Sequence, residues 1–534
     1  MTDTVLEVGD LVVRSAAGTP LIDGVSFQLD RRTRTGLIGE SGSGKTLTAL
    51  SIMGLLPEGL TAEGTVILNG RDMLASSERQ LCAIRGNDVS MVFQEPMTAL
   101  NPVMRIGRQI AEALRFHQSM SRQDAAEKVV DLLTAVRIEE PELRARAFPH
   151  QLSGGMRQRV MIAMALACGP DLVIADEPTT ALDVTIQAQV LDVLDEQVEK
   201  FHTALLIITH DLPVVARTTR QVMVMNAGRL VEKGETQAVF SDPTNEYTQA
   251  LVGSVPPLSR SATFTIRPRE RRAPAEPVIS VKNVTRIFPL PRSGFLDEKR
   301  TITAVDEVTL EVQKGETFGI VGESGSGKST LARLMIALDV PTEGDIVVNG
   351  IDIAETSKRQ PLRRQVQMIF QDPIGSLDPR LKIGRIIAEP LRSLKIEGDH
   401  RARVTELIDA VELPADSVGR YPHEFSGGQR QRIAIARALA PSPDILIADE
   451  PVSALDMSIQ TITLDLLAHL KDEYGLTMVF ISHDLSVVHE ICDRVAVLQH
   501  GRLIEQGPVD EVFLHPKTGY TEGLIAAIPR LDAT

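Results

Sequence analysis

The stretch that decides the fold is Gly36-Leu37-Ile38-Gly39-Glu40-Ser41-Gly42-Ser43-Gly44-Lys45-Thr46, an apolar run that opens into glycines and ends on a lysine and a hydroxyl. It returns as Phe318-Gly319-Ile320-Val321-Gly322-Glu323-Ser324-Gly325-Ser326-Gly327-Lys328-Ser329. Both copies fit the spacing G-x-x-x-x-G-K-[ST] and stand between a strand-like run and helix-like stretches at residues 47–56 and 330–338. Glycines let the backbone curl so that its N–H groups surround phosphate oxygens at a helix N-terminus. The lysine reaches the outer phosphates, and the hydroxyl ligates a divalent cation. This predicts two phosphate-binding loops: Gly39, Ser41, Gly42, Gly44, Lys45 and Thr46 in one; Gly322, Ser324, Gly325, Gly327, Lys328 and Ser329 in the other.

The duplication extends well beyond the loops. Leu152-Ser153-Gly154-Gly155-Met156 recurs as Phe425-Ser426-Gly427-Gly428-Gln429, Asp176-Glu177-Pro178 as Asp449-Glu450-Pro451, and Thr209-His210-Asp211 as Ser482-His483-Asp484. The offset is 283 residues at the lysines and 273 at the other three motifs, with order kept. A repeat this long is two domains in tandem rather than a solenoid. Residues 255–277 are rich in Pro and Arg and read as an extended linker. Its arginines suit either a solvated tether or a contact with membrane phosphates. The expected division is 1–254, linker 255–277, and 278–534.

Within each unit, apolar runs at 89–93, 172–175 and 205–209, and again at 366–370, 445–448 and 478–482, read as strands. Their continuous hydrophobicity suits a parallel sheet covered on both faces. Between 94 and 153, and between 371 and 426, the pattern turns helical, most clearly at 125–136 and 401–411. The expected fold class is α/β, each unit having a helical insert.

Composition excludes several classes. Of 534 residues, 56 are Lys or Arg and 71 Asp or Glu, a net charge of −15, which argues against broad attraction to nucleic acid or anionic lipid. No apolar run reaches the roughly 18–20 residues of a membrane-spanning helix; the longest, 161–175, is cut by Gly169-Pro170-Asp171. The start, Met1-Thr2-Asp3-Thr4, has neither the basic nor the apolar region of a signal peptide. Cys82, Cys168 and Cys492 are far apart and match no metal spacing, as in a reduced protein without disulfides.

The remaining repeated residues have chemistry to offer. Asp176 and Asp449 end strands where a carboxylate can hold Mg²⁺, and Glu177 and Glu450 beside them can polarise an attacking water. Gln94 and Gln371, read as strand ends, can touch metal or water with a neutral amide. The metal set is thus Thr46, Gln94 and Asp176, with Ser329, Gln371 and Asp449. His210 and His483 can hydrogen-bond a γ-phosphate. Ser153 and Gly155, and Ser426 and Gly428, precede helical stretches, where a hydroxyl and bare N–H groups can meet an anion. The same serines also suit N-caps.

In this order and combination the motifs resemble the ATP-binding cassette (ABC) ATPases, once per half over nearly all of the chain. The resemblance implies two RecA-like P-loop cores, each with an inserted α-helical subdomain, binding ATP and Mg²⁺. It makes Gly39–Thr46 and Gly322–Ser329 Walker A loops, Asp176 and Asp449 Walker B acids, and Glu177 and Glu450 catalytic glutamates. It makes Gln94 and Gln371 Q-loops, His210 and His483 switch histidines, and Ser153–Gly155 and Ser426–Gly428 signatures. Ala181-Leu182-Asp183 and Ala454-Leu455-Asp456 become D-loops. Head-to-tail packing would then pair Lys45 with Ser426 and Lys328 with Ser153.

A narrower resemblance is to the ATPases of peptide and nickel importers. It rests on Glu95-Pro-Met-Thr-Ala-Leu-Asn-Pro102 and Asp372-Pro-Ile-Gly-Ser-Leu-Asp-Pro379, on the segments at 148–153 and 421–426, and on related tails at 243–251 and 516–524. It implies an energy-coupling ATPase peripheral to the cytoplasmic face of the membrane. Its partners would be two transmembrane permease subunits and, through them, an extracytoplasmic substrate-binding protein, not nucleic acid. Dipeptides and oligopeptides are the implied cargo, with nickel, haem and glutathione-like molecules as alternatives. A soluble tandem cassette acting on ribosomes or DNA is the rival class, and a nucleotide-binding scaffold without turnover a third. Three departures stand out. The adenine-stacking aromatic is Phe288 in the second half, but Ser15, beside Arg14, in the first. Met156 stands where the second half has Gln429. No cysteine lies near either tail, so no iron–sulfur cluster is expected.

Overall fold

The computed structural model describes residues 4–179, 182–256, 276–289, 301–355, 359–453 and 455–531. Most of the linker, with Ala181 and Ala454 of the expected D-loops, lies outside them.

The first unit contains strands β1 (Thr4–Arg14), β2 (Pro20–Asp30), β3 (Arg34–Ile38), β4 (Thr61–Leu68), β5 (Arg71–Asp72), β6 (Val89–Val92), β7 (Leu172–Asp176), β8 (Ala204–Thr209), β9 (Gln221–Asn226) and β10 (Arg229–Glu235). They form an antiparallel sheet ordered β2-β1-β4-β5 and a larger one ordered β10-β9-β3-β8-β7-β6. In the larger sheet only the β9–β10 hairpin is antiparallel. Every residue of β7 and β8 is buried, which is why these strands read as unbroken apolar runs.

The second unit repeats the plan with β11 (Pro277–Pro289), β12 (Thr301–Gln313), β13 (Thr317–Val321), β14 (Glu343–Val348), β15 (Ile351–Asp352), β16 (Val366–Ile369), β17 (Ile445–Asp449), β18 (Thr477–Ile481), β19 (Arg494–Gln499) and β20 (Arg502–Pro508). Its sheets are ordered β12-β11-β14-β15 and β16-β17-β18-β13-β19-β20. In both units the phosphate loop leaves the carboxyl end of a central parallel strand, the edge where open α/β sheets bind ligands.

The helical insert holds Ile106–His117 and Arg122–Ala135 in the first unit and Ile383–Ile387, Glu389–Ser393 and His400–Ala410 in the second. Pro390 explains the shorter pieces: it has no N–H to continue the helix that ends at Ile387.

Two boundaries differ from the sequence reading. The strands at β6 and β16 end at Val92 and Ile369, so Phe93 and Phe370 emerge to 38% and 40% exposure. Gln94 and Gln371 therefore stand beyond the strand ends rather than on them, where the departing chain is free to turn toward the neighbouring strand. The loop helices begin earlier than expected, at Lys45 and Lys328. Their N-caps, Gly44 (φ 104°) and Gly327 (φ 99°), occupy a left-handed conformation that favours glycine.

The two units touch. Val184 packs into the second unit's core, while Met457 and Leu531 pack against the first unit's. The helix Gly519–Ala526 lies against Val184–Phe201. Among the described residues no helix is long and apolar enough to cross a membrane.

Candidate functional site

Each phosphate loop closes tightly around its lysine. A Cβ on Gly39 would stand 2.1 Å from the Met225 carbonyl oxygen, and one on Gly322 would stand 2.2 Å from that of Leu498. Lys45 Nζ donates to the carbonyls of Gly39 (2.7 Å) and Glu40 (2.8 Å), and Lys328 Nζ to those of Gly322 (2.7 Å) and Glu323 (2.9 Å). Burial lowers both lysines, against the opposing charges of Glu177 and Asp456 at one and of Glu450 and Asp183 at the other.

The loop hydroxyls meet the strand-end acids. Thr46 Oγ1 donates to Asp176 at 3.4 Å, and Ser329 Oγ to Asp449 at 3.1 Å. Burial pushes both aspartates up to about 6, against the hydrogen bonds from those hydroxyls. One residue on, Glu177 (φ 47°) and Glu450 (φ 48°) take the left-handed conformation that non-glycine residues avoid. Their N–H groups donate to the carbonyls of Ile208 (2.7 Å) and Ile481 (2.9 Å), which fixes this turn at the sheet edge. Backbone strain of this kind clusters at functional sites.

Each of these glutamates is gripped by both oxygens. Gln94 Nε2 donates to Glu177 Oε2 at 2.6 Å, and His210 Nδ1 lies 3.1 Å from Oε1. Gln371 and His483 repeat this on Glu450 at 2.7 and 3.2 Å. Burial pulls the two histidines down, but the hydrogen bond and charge of the glutamate outweigh it and leave both above the ordinary value.

The D-loop aspartates arrive from the opposite unit. Asp183 Oδ1 accepts from Ile186 N (3.0 Å), and its Oδ2 accepts from Ser324 N (3.1 Å) in the second phosphate loop. Asp456 Oδ1 lies 4.0 Å from His210 Nδ1. Sequence reading had no distance with which to place either aspartate.

Ser153 and Ser426 cap the helices Gly154–Leu166 and Gly427–Leu439, accepting from Met156 N (3.3 Å) and Gln429 N (3.4 Å). Behind them, a Cβ on Gly155 or Gly428 would meet Ile186 or Ile459 at 2.3 or 2.5 Å, so these glycines let the capped helix pack against the next. Phe288 lies on β11, with the Arg286 guanidinium 4.5 Å from its ring centroid. The left-handed Asp10 and Asn283 set a common register that makes Ser15 its equivalent. The Ser15 hydroxyl accepts from Thr19 N (3.2 Å) and is spent on a local turn. Among the described residues, neither the signature residues nor Phe288 hydrogen-bonds a phosphate loop.

Two site neighbours went unread in the sequence. The hydroxyls of Tyr247 and Tyr520 accept from the backbone N–H groups of Glu40 (3.0 Å) and Glu323 (3.3 Å). The chain has only four tyrosines, and these two hold matching places in the tails, the one signal that pointed to them.

The arrangement fits a nucleotide and a divalent cation. A buried lysine lies inside a curled loop, and the buried Ser326 hydroxyl has no partner. Beside them a hydroxyl and an aspartate form a hard-oxygen pair suited to Mg²⁺.

The ABC transporter family matches residues 22–180 and 305–453, and the C-terminal region of oligopeptide/dipeptide transporters matches 231–279 and 504–534. The chain is 46% identical over 535 residues to the glutathione import ATP-binding protein GsiA of Escherichia coli (strain K12), covering 95% of this chain and 86% of that one. It is 44% identical over 541 residues to the same protein of Salmonella typhimurium (strain LT2), with the same coverage. A dimeric post-hydrolysis structure of an ATP-binding cassette bound to ADP and Pi is 32% identical, covering 43% of this chain and 98% of that chain at a TM-score of 0.39. The chain belongs to the ABC transporter family, with two tandem RecA-like cassettes. Within it, the chain is the ATP-hydrolysing, energy-coupling subunit of an importer of the peptide/nickel type, and membrane permeases are its partners.

Proposed function

We propose that ATP is hydrolysed at two composite sites, each completed by the opposite cassette. One uses Lys45, Thr46, Gln94, Asp176, Glu177 and His210 with Ser426, Gly428 and Asp456. The other uses Lys328, Ser329, Gln371, Asp449, Glu450 and His483 with Ser153, Gly155 and Asp183, and Phe288 for the base. The hydrogen bond from Ser324 N to Asp183 carries this reading, because it joins the phosphate loop of one cassette to the D-loop of the other. The cassettes span 1–254 and 278–534 around a linker at 255–277.

Phosphoryl transfer needs mainly positioning and charge neutralisation. The lysine and the loop N–H groups meet the phosphates. Glutamate, held by glutamine on one oxygen and histidine on the other, orients the attacking water and draws on its proton. Bound Mg²⁺ would add positive charge at the phosphates, held by Thr46, Asp176 and Gln94 or by Ser329, Asp449 and Gln371. ATP binding would close the cassettes, and hydrolysis would let them part, moving two permease subunits at the cytoplasmic face of the membrane. An extracytoplasmic binding protein delivers cargo to those permeases. The oligopeptide/dipeptide C-terminal region and the relatives named for glutathione import support small peptides as that cargo.

The test is the double variant Glu177→Gln with Glu450→Gln, whose ATPase activity should fall at least a hundredfold while ATP binding persists. Undiminished turnover would refute the site assignment. Uptake of labelled dipeptides, oligopeptides and glutathione by a deletion strain tests the cargo, and uptake of none of them would refute it.

A further inference from the structure

The tail of each cassette holds its phosphate loop by one hydroxyl. Tyr247 lies in the helix Glu246–Gly253 and Tyr520 in Gly519–Ala526, both half-buried. Their hydrogen-bond donors, the N–H groups of Glu40 and Glu323, directly follow the glycines that admit no Cβ. Tyr520 also donates to the Leu498 carbonyl at 3.4 Å, the same oxygen that closes on Gly322. The ring therefore ties the first turn of the loop to the end of β19.

Each tyrosine is itself anchored. Glu232 on β10 accepts from Thr244 N and Oγ1 (2.8 Å each) and from Asn245 N (3.2 Å). Glu505 on β20 accepts from Lys517 N (3.0 Å) and Thr518 Oγ1 (3.4 Å). In both cassettes a carboxylate on the edge strand thus fixes the turn two residues before the tyrosine. The second tail runs on to the other cassette, where Leu531 packs against the first core.

We propose that Tyr247 and Tyr520 are positioning residues for ATP binding: each hydroxyl holds its phosphate loop in the binding shape before nucleotide arrives. This gives the tails a direct part in nucleotide affinity, and it rests on the reading of the loops as ATP sites. A glycine-rich loop is costly to order. A contact that orders it beforehand removes that cost from binding. The tyrosines reach the loop through the peptide N–H of its second residue, so their loss changes how readily the loop accepts ATP, not how bound ATP reacts.

The experiment uses the full chain assembled with its permeases and compares Tyr247→Phe, Tyr520→Phe and the double variant. The double variant should raise KM for ATP about three- to tenfold, the loss expected from one hydrogen bond per site, with kcat within twofold. The Tm should stay within about 2 °C, because the ring and its packing remain. Glu232→Gln with Glu505→Gln, which loosens the anchor but keeps the hydroxyls, should raise KM less. An unchanged KM in the double tyrosine variant, or a fall in kcat at constant KM, overturns the inference. So does a KM rise confined to the glutamate variants. Lys45→Ala with Lys328→Ala is the control: persistent ATP binding there would refute the loops as ATP sites, whereas its loss leaves the tyrosine result to be judged alone.

Discussion

In the site built on Lys45, Gln94 and His210 approach Glu177 at 2.6 and 3.1 Å; in the site built on Lys328, Gln371 and His483 approach Glu450 at 2.7 and 3.2 Å. The lysine-to-glycine bonds are 2.7 Å in both. The aspartates that arrive from the opposite unit differ, since Asp183 accepts from Ser324 N at 3.1 Å while Asp456 stands 4.0 Å from His210 Nδ1, and further differences lie one layer out. The first site has Ser15 where the second has Phe288, yet the signature proposed to complete it is fully capped: Ser426 N donates to Gln429 Oε1 (3.1 Å) and Gln429 N to Ser426 Oγ (3.4 Å). The second site keeps its aromatic, but the signature proposed to complete it has Met156, which returns no such bond. In these two features each site carries one departure, at a different place. The lysines and glutamates keep matched geometry in the two halves, and the differences lie at the aspartates from the opposite unit, at Ser15 and Phe288, and at the starts of the two capped helices.

That comparison breaks most visibly at the glutamates. Because the inner rings match, and one unhydrolysed ATP would keep the closed cassettes from parting, Glu177→Gln and Glu450→Gln taken singly should each lower kcat at least tenfold, and by the same factor within about twofold. Steady-state ATPase assays at saturating ATP decide it. A tenfold difference between the two would mean that the rim reaches into the chemistry.

The bases come next. Stacking a base on an aromatic ring contributes about 1–3 kcal/mol. Phe288→Ser should therefore weaken ATP binding at the second site about tenfold. Ser15→Phe should tighten the first, by less, because the new ring must displace the turn that Ser15 now holds through Thr19. Titration of the doubly Glu→Gln variant with fluorescent ATP resolves the two sites. Equal affinities before substitution and no response to it would show that adenine is gripped elsewhere.

How much of this was legible in the sequence follows from how local each interaction is. Lys45, Thr46 and the glycines lie within one loop, and their spacing alone carries the chemistry. The alternation of strands and helices followed from unbroken apolar runs such as β7 and β8. Gln94 was found but misplaced by two residues, since Phe93 looks like a strand residue and the structure leaves it 38% exposed. Asp183 was named a D-loop residue only through family resemblance, and its place at the opposite phosphate loop went unread, because its partner Ser324 is 141 residues away in the other unit. Tyr247 and Tyr520 lie 207 and 197 residues from the N–H groups they hold, and backbone donors leave no residue-type signature.

The D-loops extend the comparison to stability. Asp183 caps the helix Val184–Phe201 through Ile186 N and also reaches Ser324, whereas Asp456 makes no side-chain cap on Met457–Tyr474. Removing a cap costs about 1 kcal/mol, so Asp183→Ala should lower Tm by about 2–4 °C for a domain of this size. Asp456→Ala should shift it by less than about 1 °C. Scanning calorimetry of the two variants gives the contrast, and equal shifts would remove it.

The smallest effect lies at the signatures. Met156→Gln supplies the missing reciprocal bond to the Ser153 N–H, worth about 0.5 kcal/mol. Against this, Met156 packs on the first cassette's core, and its thioether burial is lost. Global stability is thus a poor reporter, since the two terms oppose. Hydrogen exchange at the Ser153 amide reads the new bond directly and should slow about two- to threefold, the factor that 0.5 kcal/mol gives. Gln429→Met should speed exchange at the Ser426 amide by the same factor. Opposite and equal changes would confine the difference between the signatures to one amide. If the Ser153 amide is unmoved, packing of Met156 sets the start of that helix, and the asymmetry belongs to the core rather than to the cap.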